Sequence, residues 1–232
     1  IGRLKSGGMR LEDTMNTKYA DMVDYYTMWV HQIKTPIASM HLILQKEDTE
    51  DARRLRAELF RIEQYVRMVL CFLRLDSDFT DYVIKEYKVD DIVRPAVRSL
   101  APQFIMKRLA LEYEQTDVVA LTDEKWLGFV VEQVLSNAVK YTSAGSISIK
   151  CDEDRLVISD TGIGIAAEDL PRIFDKGYTG FNGRADRKAS GIGLYLCRRI
   201  CDKLGHSIRA ESVAGQGTTI TIGLGRNRLE VE

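Results

Sequence analysis

The stretch Trp29–Ile37, WVHQIKTPI, decides how the N-terminal third of the chain folds, because the apolar ladder through it leaves the histidine off the packed seam. Counting outward, Met15, Tyr19, Met22, Tyr26, Trp29, Ile33, Pro36, Met40 and Ile43 recur at alternating steps of four and three, the period of a coiled coil or helical bundle. With Tyr19, Tyr26, Ile33 and Met40 at a and Met15, Met22, Trp29, Pro36 and Ile43 at d, His31 falls at f and faces solvent. An imidazole in water is partly neutral at working pH, so one ring nitrogen can act as a nucleophile. Pro36 has no N–H for the carbonyl of Gln32 and crowds it, so a bend is expected one turn beyond His31. On these residues alone, a plain bundle helix with a surface histidine and a tolerated proline reads equally well.

Working outward, the first helix is expected from about Thr14 to Gln45, and KEDTED at Lys46–Asp51 is a polar break. A second ladder follows at Ala52, Leu55, Leu59, Ile62, Val66, Val69 and Leu73. Two such helices joined by a short turn form an antiparallel hairpin, and a hairpin alone encloses no core. A homodimeric four-helix bundle is the simplest way to cover its stripe. Upstream, residues 1–13 with SGG at Ser6–Gly8 read as a flexible junction, and a chain opening on Ile1 is expected to be a piece of a longer protein. No run of 18 apolar residues occurs that could span a bilayer.

After LDSDFTD at Leu75–Asp81, rich in turn formers, the period changes. Strands are expected at Tyr82–Val89, Leu109–Glu114 and Val118–Leu121, with Asp90 or Asp91 capping a helix interrupted at Pro95 and Pro102. A long helix follows over Asp123–Tyr141. Then come a hairpin of Ser146–Cys151 and Leu156–Ser159, a short helix near Ala167–Phe174, a helix over Gly193–Leu204, and strands Ser207–Ser212 and Thr218–Leu224. Antiparallel strands with helices on one side give an α+β fold: a helical hairpin (14–78) followed by an α/β sandwich (79–232).

Composition narrows the function. With 33 basic and 34 acidic residues, a net charge of −1 offers no electrostatic case for nucleic acid or an anionic membrane surface. Of Cys71, Cys151, Cys197 and Cys201, only the last two have close spacing and no second pair completes a metal site, so buried reduced thiols are expected.

Four glycine-rich or amide-bearing clusters carry the chemistry. DTGIGI ends an apolar strand on Asp160, with Gly162 and Gly164 just beyond, where bare backbone admits a flat ligand or simply makes a turn. SGIGL opens a helix at Gly191–Leu194, whose exposed N–H groups attract phosphate. AGQGTTITI adds Gly215 and Gly217, which read as a hairpin turn. EQVLSNAVKYT sets Asn137 and Lys140 on one helix face, an amide oxygen suited to Mg²⁺ and an ammonium suited to phosphate. The intervening stretch Ile173–Ser190, with three glycines and several cations, reads as a lid.

HQIKTP, SNAVKYT, DTGIGI, IFDKGYTG, SGIGL and GQGTTI resemble the H, N, G1, F, G2 and G3 boxes of bacterial sensor histidine kinases, in the family's order and over nearly the whole chain. The resemblance implies a dimerisation and phosphotransfer hairpin joined to a Bergerat-type ATP-binding domain that uses ATP and Mg²⁺. It makes His31 the phosphoacceptor, Asp160 the acceptor for the adenine amine and Asn137 the Mg²⁺ ligand. Lys140 and Tyr141 match nucleotide contacts, Gly162, Gly164, Gly191, Gly193 and Leu194 line the pocket, and Phe174 matches the aromatic at the lid's base. Thr35 matches the hydroxyl that orients water when such a kinase acts as a phosphatase. The implied partners are a second copy through the hairpin and a response-regulator receiver domain. More narrowly, HQIKTP with FDKGYTGFNGR resembles intramembrane-sensing kinases of peptide-antibiotic resistance, which implies the cytoplasmic part of a membrane sensor and a membrane transporter as partner of the parent protein.

Two positions depart from the pattern. The residue after the phosphoacceptor is commonly acidic but here is Gln32, whose amide oxygen can hold one imidazole tautomer yet cannot take the proton. Gln133 stands where the N box has its first asparagine. These departures keep open a non-catalytic nucleotide-binding scaffold. A gyrase-like ATPase would instead need a water-activating acid, for which Glu132 is the nearest match, and would have no use for the HQIKTP hairpin.

Overall fold

A computed structural model describes residues 2–75, 82–180 and 190–225, and for 2–16 the backbone only. The chain divides into two units, Ile1–Asp81 and Tyr82–Glu232. The joint expected at 76–81 and most of the expected lid, 181–189, lie outside the described residues.

The first unit is a hairpin of α1 (Gly2–Gln45) and α2 (Glu50–Leu75). The turn closes on Thr49, whose hydroxyl accepts the Ala52 N–H at 3.1 Å, and Glu50 and Asp51 complement the start of α2. The junction expected at 1–13 is helical from Gly2 onward. A glycine costs about 1 kcal/mol of helix propensity relative to alanine, too little for Gly7 and Gly8 to break so long a helix. α1 also runs on through Pro36, which is exposed together with Gln32, so the carbonyl deprived of a donor turns to water.

On α1 the seam inside the hairpin sits one position along from the ladder read in sequence, whereas on α2 it uses alternate members of that ladder. Val30 and Ile37 are buried, at 1% and 3% exposure, whereas Met22, Tyr26, Trp29, Met40 and Ile43 are exposed. On α2, Ala52, Leu59, Val66 and Leu73 are buried while Leu55, Ile62 and Val69 face out. Each helix therefore carries two apolar stripes at seven-residue steps, one spent within the hairpin and one left outward. Polar contacts bridge the helices: Tyr19 Oη donates to the Leu73 carbonyl at 2.8 Å, and His41 lies 3.4 Å from Glu63.

In the second unit a five-stranded sheet runs β2 (Ala110–Tyr113), β4 (Ser146–Asp152), β5 (Arg155–Asp160), β7 (Gly217–Gly223), β6 (Ser207–Val213). Its pairs are antiparallel except β2 with β4, which is parallel, a departure from the all-antiparallel expectation. β1 (Lys85–Lys88) and β3 (Val119–Thr122) form a separate antiparallel pair. α3 (Val89–Lys107) packs on α4 (Glu124–Tyr141), and α4 on α5 (Gly193–Leu204). The core lies between these helices and the sheet: Leu127, Val131, Val134 and Leu135 of α4 and Leu196 and Ile200 of α5 are buried, as are Ile147, Ile149, Leu156, Ile158 and Ile222 of the strands. Each such side chain contributes about 1.5–3 kcal/mol.

Three local expectations are corrected. Neither Asp90 nor Asp91 caps α3; the N-cap is Lys88, and the buried Asp90 instead accepts from the Tyr113 hydroxyl and pairs with Arg94 at 2.5 Å. α3 is continuous through Pro95 and Pro102, because both prolines and the residues four before them, Asp91 and Arg98, are exposed. The helix expected over Ala167–Phe174 is only a 3-10 turn, Leu170–Arg172, around Pro171.

Candidate functional site

On α1, His31 is exposed beside the buried Val30, and Thr35, one turn on, turns its hydroxyl to the His31 carbonyl at 3.4 Å. Gln32 is exposed as well. The imidazole is thus exposed on the surface of α1.

In the second unit the nucleotide-type residues gather around the C-terminal half of α4. That helix is anchored at its start by Asp123, which is 4% exposed; its Oδ1 accepts from Lys125 N and Trp126 N, at 2.9 and 3.1 Å, and its Oδ2 from Val83 N at 2.8 Å. One half-buried face then carries Gln133, Asn137, Lys140 and Tyr141. Gln133 Nε2 points at Asn137 Oδ1 across 3.5 Å, and the Lys140 ammonium lies 4.9 Å from the centre of the Tyr141 ring. Glu132 is turned to α3, where Ser99 Oγ donates to it at 3.3 Å, so it is not presented as a water-activating acid.

Asp160 ends β5 and accepts the Gly162 N–H at 2.8 Å. Burial pushes its carboxyl above the usual range, against the N–H groups of Gly162 and Thr218 and the Thr142 hydroxyl, which hold it down. Thr142, fully buried at the end of the KYT sequence, is a member of this cluster that the sequence reading passed over.

The glycines knit these pieces together. A Cβ on Gly162 would stand 2.5 Å from the Tyr141 carbonyl oxygen, and one on Gly164 2.1 Å from that of Val213. Gly217, at φ +111, would meet the Asp160 carbonyl at 1.9 Å. Gly191 packs on Gly177 and Tyr178, with Gly177 N donating to the Gly191 carbonyl at 2.9 Å, and Gly193 packs on the Gln133 amide. Ser212, also unnoticed in sequence, ties the same loops: its Oγ accepts from Ile165 N at 2.8 Å and donates to the Gly217 carbonyl at 2.7 Å. α5 begins at Gly193, buried, and Leu194, half-buried. Its first-turn N–H groups have no intrahelical partner and suit an anion. Phe174 is half-buried, with the Arg198 guanidinium 6.0 Å from its ring centre.

The donor set fits a magnesium ion that arrives with a phosphate chain. Among the described residues no three His, Cys, Asp or Glu side chains gather into a cage. Asn137 offers one amide oxygen, and Mg²⁺ held by one or two protein oxygens completes its octahedron with phosphate and water. The four cysteines are free thiols, Cys71, Cys197 and Cys201 being buried; burial pushes Cys71 and Cys201 up to about 12.

Residues 122–228 match the family model described as histidine kinase-, DNA gyrase B- and HSP90-like ATPase. The chain is 37% identical over 205 residues to the sensor histidine kinase YxdK of Bacillus subtilis, covering 85% of this chain and 63% of that protein. It is 35% identical over 228 residues to the sensor protein BceS of Halalkalibacterium halodurans, covering 95% and 66%. It thus spans less than two thirds of the length of these relatives. Among solved structures, full-length ShkA in complex with AMPPNP aligns with a TM-score of 0.60 at 20% identity, over 89% of this chain and 47% of that one. The Acinetobacter baumannii histidine kinase AdeS aligns at 0.57 and 20%, over 85% and 98%. At that identity the structures speak for the fold alone. Fold, motif order and relatives agree: this chain is similar over most of its length to sensor histidine kinases, and residues 122–228 of its second unit match the ATPase-domain family model.

Proposed function

We propose that the chain is the kinase core of a two-component sensor, which phosphorylates His31 from Mg-ATP and passes the phosphoryl group to an aspartate of a response-regulator receiver domain. The observation that carries this reading is the exposed imidazole of His31, next to a residue that is 1% exposed on a helix with a second apolar stripe facing out. A ring nitrogen attacks the γ-phosphorus, the bond to the leaving ADP oxygen breaks, and the ring N–H proton is lost to solvent. Gln32 holds the tautomer by hydrogen bonding and takes no proton. Asp160 accepts the adenine amine, Lys140 and the start of α5 attract phosphate, and Asn137 would hold the magnesium ion, which would draw charge from the phosphate oxygens. Little covalent work falls to the protein, so the rate rests on positioning.

In this reading the outward stripes pair two hairpins into a four-helix bundle, Thr35 orients water for a phosphatase reaction, and the parent protein is a membrane sensor acting with a transporter in peptide-antibiotic stress. Among the described residues no helix is long and apolar enough to cross a membrane. The test is incubation with γ-labelled ATP and Mg²⁺. Acid-labile, base-stable label that disappears in His31→Ala is expected; nucleotide binding without label would leave only a scaffold.

A further inference from the structure

We infer that Lys107, on α3 and outside every motif quoted above, is a positioning residue for the nucleotide site; this rests on the ATP reading just given. α4 ends without a glycine cap, on an extended Thr142 (φ −101, ψ 118). A helix end leaves its last four carbonyls without helical donors. Here the Ala138 carbonyl accepts from Thr142 N at 3.0 Å, and the Tyr141 carbonyl from Ile163 N at 3.2 Å. Lys107 Nζ takes the other two and the carbonyl of the cap residue: it donates to those of Val139, Lys140 and Thr142 at 2.5, 3.0 and 3.0 Å.

An ammonium has three N–H groups, and its charge lies at the negative end of the α4 dipole. By fixing the carbonyls on both sides of Tyr141, Lys107 leaves that of Tyr141 aimed at the loop after Asp160. There Gly162 bears directly on Tyr141 and Thr142 while its N–H holds the Asp160 carboxylate. The lysine thus sets the seat of the adenine acceptor without itself approaching the base, and it also fixes the backbone from which Lys140 and Tyr141 project.

The test compares the parent chain with Lys107→Met, which keeps the stem and loses charge and donors, and Lys107→Arg, which keeps both. Binding of ATP and of purine riboside triphosphate, which lacks the exocyclic amine, is measured by calorimetry, with circular dichroism to establish folding. Lys107→Met is expected to weaken ATP about tenfold and to shrink the preference for ATP over the analogue about fivefold, with Lys107→Arg within about threefold of the parent. At saturating ATP, labelling of His31 should stay within about twofold, placing the effect in KM rather than kcat. Equal weakening of both triphosphates, or ATP affinity within about twofold of the parent, overturns the inference. Should Lys107→Met not fold, Lys107→Gln is read on the same criteria. A parent chain that does not bind ATP sinks the functional proposal itself, whereas a parent that binds and discriminates beside an unaffected Lys107→Met sinks only the role of Lys107.

Discussion

Gly162→Ala tests the site most sharply, because the space a methyl group needs is filled on three sides. The added carbon would stand 2.5 Å from the Tyr141 carbonyl oxygen, 2.8 Å from Asp160 Oδ1 and 2.9 Å from Thr142 Oγ1, where ordinary contact begins at 3.4 Å. The helix end or the loop must therefore shift by most of an ångström. Overpacking of this kind costs about 1–3 kcal/mol, against a domain stability of about 5–15 kcal/mol, so the fold survives. At about 2–4 °C per kcal/mol, the melting midpoint falls by about 2–12 °C. Binding suffers more: a hydrogen bond to a charged acceptor is worth about 1.5–3 kcal/mol, and forcing Asp160 off its position weakens ATP about 10- to 150-fold. Gly215→Ala is the control, since Gly215 has φ +79 but open space around it. Its left-handed backbone costs about 1–2 kcal/mol without touching the site. Thermal melts and ATP calorimetry on both variants decide. Unchanged ATP affinity in Gly162→Ala, or an equal loss in Gly215→Ala, refutes the reasoning.

Three further outcomes follow from the same geometry. Gln32→Glu, which restores a proton acceptor beside His31, should raise the autophosphorylation rate; an equal or lower rate with ATP binding intact counts against that role. Because burial raises the Asp160 carboxyl, the nucleotide-free domain binds more protons folded than unfolded and loses stability as pH rises from the unfolded through the folded pKa. Asp160→Asn should flatten this slope and leave the free domain at least as stable at neutral pH while abolishing ATP binding; a lower denaturant midpoint there contradicts the assignment. Ile62→Lys, on the outward stripe of α2, should convert the proposed dimer to monomer in analytical ultracentrifugation, and a dimer unchanged by it would mean the stripe is covered by something else.

How much of this was readable before the coordinates depended on whether the signal was local. The extent of α4 was legible from its apolar period, a local signal, and Asp123, read in sequence as its first residue, acts as its cap. The hairpin of β4 and β5 and the order of the glycine motifs were legible for the same reason. The seam of the helical hairpin was legible on α2, where Ala52, Leu59, Val66 and Leu73 of the ladder are buried, but not on α1, which has apolar residues at two adjacent heptad positions; only the partner helix decides that Val30 and Ile37 go inside while Trp29 and Met40 stay out. Pro95 and Pro102 misled because a proline removes a donor wherever it sits, whereas the consequence depends on whether the bereft carbonyl meets water. Asp90 looked like a cap until the distant Tyr113 claimed its carboxylate. Lys107 had no local signature at all, since its three acceptors lie more than thirty residues away.

The glycines show why the motifs act as one object. Read in sequence, Gly162 and Gly164 are places where bare backbone lets a flat ligand approach, and Gly191 and Gly193 open a helix whose N–H groups attract phosphate. In the fold, the side of each that a Cβ would occupy is filled by another motif: Gly162 by the end of α4, Gly164 by the turn between β6 and β7, Gly191 by the Gly177 turn, Gly193 by Gln133. In the proposed site, a nucleotide would meet the Asp160 carboxyl, the Asn137 amide, the Lys140 ammonium and backbone N–H groups. Recognition chemistry and loop geometry are therefore separable in principle but coupled in practice, because a methyl group at any of these glycines displaces two motifs at once. Gln133 illustrates the coupling: its extra methylene, relative to the asparagine the pattern favours, is accommodated because residue 193 has no side chain, and the amide so placed reaches toward Asn137. A departure at one motif is thus matched by space at another, and the pocket is specified by pairs of positions rather than by six independent sequences.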